Sequence, residues 1–139
     1  MVGVIYWSGT GNTEAMAEAV RAGLEAAGQE VYFGRVEDAS VEEALTFDKL
    51  AFGCPAMGDE VLEELDFDSF FMALEGKLSG KKIVLFGSYG WGTGEWMDSR
   101  VVRAKEAGAV IVGTAIANYT PNTAAISACE DLGKQLAEA

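Results

Sequence analysis

Cysteine is scarce in this chain: Cys54 and Cys129 are the two present, far apart in 139 residues. That excludes a disulfide framework. One bridge could join them, but two free thiols in a reducing compartment is the expectation, and with it a cytoplasmic protein. No run approaches the ~20 apolar residues of a membrane span. No charged segment followed by an apolar one stands at the start, so neither secretion nor membrane insertion is expected. Basic residues are also few: 10 Lys and Arg against 22 Asp and Glu, for a net charge of −12. Nucleic acid and anionic membranes are poor partners for such a surface.

The shortage of cations is uneven. Residues 1–70 hold fifteen acids and three bases, whereas residues 71–139 hold seven of each. Asp59 to Asp68 alone contributes six acids and no base. A basic patch on a protein partner would complement it; the plain alternative is a solvated loop that aids solubility. No Lys or Arg occurs before Arg21.

What is present is apolar. Half of the residues are hydrophobic, enough for one globular domain of residues 1–139 with a substantial core. Five continuous apolar runs read as strands: 2–7, 31–33 with Val36, 50–54, 82–87 and 109–117. Helical patterns lie between them at 13–28, 41–45, 67–78, 95–107 and 123–138. Met16, Val20, Gly23/Leu24 and Ala27 line one face of the first helix. Ala125, Cys129, Leu132 and Leu136 line one face of the last. Strict alternation with fully apolar strands means an α/β fold with a parallel sheet between two helical layers. The doubly wound, five-stranded order 2-1-3-4-5 is the common solution at this length.

Ligands in such sheets bind beyond the C-terminal strand ends, where the strand order reverses. Three unusual loops meet there. Ser8-Gly9-Thr10-Gly11-Asn12-Thr13 joins strand 1 to its helix. Helix starts attract anions, glycines allow close backbone approach, and hydroxyls add donors. The loop lacks the Lys-Ser/Thr pair of a P-loop, and Glu14 stands where a dinucleotide fingerprint needs Gly or Ala. An ordinary strand-to-helix turn capped by Thr13 is the plain alternative. Pro55-Ala56-Met57-Gly58-Asp59-Glu60 follows strand 3, with Gly58 suited to a positive φ. Ser88-Tyr89-Gly90-Trp91-Gly92-Thr93-Gly94 follows strand 4 and sets two aromatics among glycines. Such a Trp suits stacking on a flat ring, and Met57 offers a sulfur contact to the other side. Trp7 and Trp96 are assigned to packing. A phosphate at one end and a planar ring at the other describe a mononucleotide, and the planar end points to a flavin.

The segments 6–14, 53–60 and 85–92 resemble the three FMN loops of short-chain flavodoxins from anaerobic bacteria. The resemblance spans essentially the whole chain. It implies non-covalent FMN and low-potential one-electron transfer between semiquinone and hydroquinone, not enzymatic turnover. Its implied partners are basic-patched redox proteins, namely reductases and low-potential oxidoreductases, met by a monomer. Carried over by position, Ser8, Thr10, Asn12 and Thr13 bind the phosphate with the Gly9 and Gly11 backbones. Met57 and Trp91 flank the isoalloxazine, and Glu60 accepts from N3–H. The Gly90 and Trp91 N–H groups face the pyrimidine carbonyls. The peptide after Gly58 turns over on reduction, so that its carbonyl accepts from N5–H. Pro55, Ala56, Asp59, Ser88, Tyr89 and Gly92 complete the loops, and Asn118 touches the ribityl or phosphate end. Pro55 is a departure: some relatives carry a serine there, whereas proline offers neither N–H nor hydroxyl. Gly3, inside the first strand, has no explanation at this level.

Other classes fit less well. A flavin-dependent quinone or nitro reductase needs a substrate pocket over the flavin, and no segment is spare to build one. A low-molecular-weight phosphatase needs Cys-x5-Arg, yet Glu60 is the sixth residue after Cys54. A receiver domain needs acids where Trp7-Ser8 and Cys54 stand.

Overall fold

The computed structural model describes residues 1–6, 11–38, 40–53, 77–89, 95–106, 108–118 and 121–139. The side chains of Glu37, Ser88, Tyr89, Glu95, Trp96, Asp98, Ser99, Arg100, Arg103 and Asn118 are excepted. Five strands form one parallel sheet: β1 (Val2–Tyr6), β2 (Val31–Arg35), β3 (Lys49–Gly53), β4 (Lys82–Tyr89) and β5 (Val110–Asn118). Their order is β2-β1-β3-β4-β5, as the alternation of apolar runs and helical patterns implied. The helices are α1 (Asn12–Ala26), α2 (Val41–Leu45), α3 (Glu95–Glu106) and α4 (Thr123–Glu138). The expected helix over 67–78 falls mostly outside the described residues, and Lys77 and Leu78 at its end are not helical.

Alternate residues of each buried strand feed two cores, one on each face of the sheet. Val2, Val4 and Tyr6 of β1 join Met16, Val20 and Leu24 of α1 and Cys129, Leu132 and Leu136 of α4. Ile5 and Phe52 join Ala44 of α2 and Met97 and Ala104 of α3 on the other side. The apolar face read for α4 is therefore the buried one, while Ala27, assigned to the α1 face, is exposed just beyond the helix.

Two glycines let α1 and α4 meet backbone to backbone. A Cβ on Gly23 would strike the Glu130 carbonyl, and one on Gly133 would strike the Val20 carbonyl and stand 3.0 Å from the Leu24 nitrogen. Gly3 has a similar reason. The Phe47 ring lies over it, with Cε2 2.8 Å from where a Cβ would stand, and stacks on Tyr32 at 5.3 Å. The first strand carries glycine there because an aromatic from the turn before β3 occupies the place of its side chain.

β5 is an edge strand and is bulged. Ile83 pairs with Ile111 but Val84 pairs with Gly113, which leaves Val112 as the extra residue. A bulge of this kind bends an exposed edge and discourages pairing with another chain.

Candidate functional site

In-register pairing brings Tyr6, Arg35, Gly53, Phe86 and Ala115 level across the sheet, near the C-terminal end of each strand. β1 connects outward to β2 on one side of the molecule and the chain returns to β3 on the other side of β1. Connections leave the sheet in opposite directions there, which opens a crevice between β1 and β3.

α1 opens beside that crevice. Its N-cap is Gly11, in the left-handed region with φ 90° and ψ −7°, a residue with no side chain to cap with. The Gly11 carbonyl accepts from Ala15 N–H at 3.0 Å, which closes the first turn. This corrects the capping role considered for Thr13: Thr13 is already inside the helix and is buried, 1% exposed. The left-handed cap needs glycine, because a Cβ resists positive φ. No atom of the described residues lies within 4 Å of where a Gly11 Cβ would stand. Partial positive charge gathers at this end of a fifteen-residue helix.

Formal charge around the helix start is balanced locally. Glu14, in the first turn, takes a hydrogen bond from the Tyr6 hydroxyl onto Oε1 at 2.7 Å. The same Oε1 lies 3.8 Å from an Arg35 guanidinium nitrogen, and the guanidinium sits 5.6 Å from the centre of the Tyr6 ring. Burial first, then the Glu14 carboxylate, pushes the Tyr6 hydroxyl up to about 12 against a smaller opposing pull from Arg35. Tyr6 also packs on Phe33 at 5.2 Å, and Arg21 covers that ring at 5.1 Å while pairing with Glu25. Composition alone did not reveal this network. The β1–β2 register would have, since it sets Tyr6 beside Arg35.

These features fit a phosphate group held without a bound cation: a helix start with its partial positive charge, a left-handed glycine cap, and a nearby arginine paired with a carboxylate. Of the expected contacts, Gly11, Asn12 and Thr13 stand together at the start of α1. Ser88 and Tyr89 belong to the end of β4 and not to the loop after it; they pair with Ala117 and Asn118, so Asn118 is the last residue of β5 and not beyond it. Ser8, Gly9, Thr10, Pro55, Ala56, Met57, Gly58, Asp59, Glu60, Gly90, Trp91 and Gly92 lie outside the described residues, as do Trp7, Cys54 and the acidic run 59–68. Among the described residues no cluster of His, Cys, Asp and Glu could hold a metal ion.

A parallel sheet with its switch point at β1/β3 and a glycine-capped helix start beside it defines a mononucleotide-binding protein of the doubly wound class. Comparison with known proteins narrows that class. The sequence model of the family described as flavodoxin matches residues 4–133. Flavodoxin from Megasphaera elsdenii is 50% identical over 139 residues, the whole of both chains. Flavodoxin from Clostridium beijerinckii is 45% identical over 134 residues, 96% of this chain and 97% of that one. The solution structure of two-electron reduced M. elsdenii flavodoxin superposes with a TM-score of 0.91 and covers all of both chains. The chain belongs to the flavodoxin family: it is an FMN-binding electron-transfer protein and not an enzyme. Its counterparts in the cell are redox proteins.

Proposed function

We propose that this chain is a single-domain, monomeric, cytoplasmic carrier that holds FMN at the β1/β3 crevice and passes single electrons at low potential to basic-patched reductases and oxidoreductases. FMN, when bound, supplies the one-electron chemistry. The chain supplies the rest. Ser8, Thr10, Asn12, Thr13 and the backbones of Gly9 and Gly11 hold the phosphate with neutral donors, aided by the α1 start. Met57 and Trp91 sandwich the ring and exclude water from it. Glu60 accepts from the N3–H, and the backbone N–H groups of Gly90 and Trp91 face the pyrimidine carbonyls. The backbone carbonyl of the peptide following Gly58 would be the acceptor for a proton at N5 when the flavin is bound. Acidic residues 59–68 steer partners of opposite charge. No helix among the described residues is long and apolar enough to cross a membrane.

The observation that carries this reading is the left-handed Gly11 cap that starts α1 at the β1/β3 switch edge. Its test is a visible spectrum of the purified protein and a dithionite titration. The expected result is a yellow protein with FMN bands that bleach in two resolved steps, and no steady-state NAD(P)H consumption without a partner. A colourless protein that takes up no added FMN, with its indole emission unquenched, overturns it.

A further inference from the structure

We infer that Glu14 and Arg35 act as positioning residues that set the electrostatic preference of the phosphate end, and with it the discrimination between FMN and riboflavin; this rests on the cofactor reading above. Glu14 lies in the first turn of α1, the turn assigned to the phosphate. A bare carboxylate there opposes a dianion. Arg35 offsets it from the end of β2, at 3.8 Å, and Tyr6 fixes the shared oxygen by donating to it at 2.7 Å. The guanidinium is held over the Tyr6 ring at 5.6 Å, so its position is set from a second side. Both charged side chains are partly exposed, Arg35 by 34% and Glu14 by 43%, so their fields are screened by salt but not abolished.

Removing either partner shifts the phosphate in opposite directions. Arg35→Gln leaves the Glu14 charge uncompensated and weakens FMN. Glu14→Gln leaves net positive charge at the helix start and strengthens FMN. For a unit charge about 10 Å from a dianion in a largely aqueous dielectric, the expected change is about two- to fivefold in Kd at low ionic strength, shrinking as salt is added. Riboflavin has no phosphate and does not feel either change.

The experiment measures Kd for FMN and for riboflavin by flavin fluorescence quenching, with full-length wild type, E14Q, R35Q, R35K and the E14Q/R35Q pair, at low and high salt. The expected pattern is weaker FMN in R35Q, tighter FMN in E14Q, near wild-type values in R35K and in the double variant, and constant riboflavin affinity throughout. FMN and riboflavin shifting together, or R35K failing to restore FMN binding, makes the pair a packing element and overturns the inference. Wild type that binds neither flavin overturns the cofactor reading itself, a result distinct from wild type binding both with no contrast among the variants, which overturns the inference alone.

Discussion

Gly11 and Gly28 offer a controlled comparison at the two ends of α1. Gly11 has φ 90° and Gly28 has φ 85°, and among the described residues neither has an atom within 4 Å of where a Cβ would stand. Alanine at either position therefore meets backbone strain and no steric clash. The left-handed conformation costs alanine about 1–2 kcal/mol. Stiffening of the unfolded chain returns about 0.4–1 kcal/mol of that. The net destabilisation is on the order of 1 kcal/mol at each site, about a fivefold change in an equilibrium constant. The two sites then part company. Gly28 closes the far end of the helix, with its N–H donating to the Glu25 carbonyl at 3.0 Å. Its strain weighs on apoprotein and holoprotein alike, so Gly28→Ala leaves FMN affinity unchanged. At Gly11 any strain that relaxes in the apoprotein has to be restored when the phosphate binds. The full loss therefore appears in the holoprotein, and whatever the apoprotein escapes reappears as weaker binding, up to about fivefold. Urea denaturation of both forms, with FMN titrations, separates the terms. A Gly11→Ala holoprotein as stable as wild type refutes the reasoning, as does a Gly28→Ala variant that weakens FMN just as much.

Three further outcomes follow from the same structure. Gly23→Ala and Gly133→Ala each place a methyl against a facing carbonyl, so each loses about 1–3 kcal/mol in urea denaturation, and the double variant loses less than the sum because one displacement of the helices relieves both. Tyr6 keeps its proton in the folded protein to about 12 while an unfolded tyrosine ionises near 10, so its contribution to stability is complete below pH 10 and is lost between pH 10 and about 12; Tyr6→Phe removes that part of the alkaline fall and leaves the parts from Tyr32, which burial and Glu43 also push up, and from Cys129, which burial pushes up to about 12. Neutralising Glu63, Glu64, Asp66 and Asp68 slows association with a basic redox partner at low salt in stopped-flow measurements and leaves the rate at high salt nearly unchanged; equal rates at low salt would show that the acidic run does not steer.

Residues 2–6, 50–53 and 83–87 are legible as buried parallel strands because both of their faces are covered, so no position is charged and the pattern survives in one dimension. The helical faces of α1 and α4 are legible for the same kind of reason, as is the strand order, since right-handed crossovers leave few alternatives. Of the expected site, the start of α1 is legible in the same way, as a glycine and polar run between the first strand and its helix. Thr13 was harder: a hydroxyl before a helix reads as a cap, yet the cap is the residue with no side chain, because the chain enters α1 through a left-handed turn.

Fold class and strand order were thus determined by the sequence alone, since they depend on periodicity and on local turn chemistry. Tertiary structure decided the rest. Gly3 is required by a ring forty-four residues onward, Gly23 by a carbonyl of the last helix, and the Tyr6–Glu14–Arg35 network by the register of β1 on β2. Such contacts have no signature in the order of residues, because their partners are far apart along the chain and meet only once the sheet has fixed which side chains stand side by side.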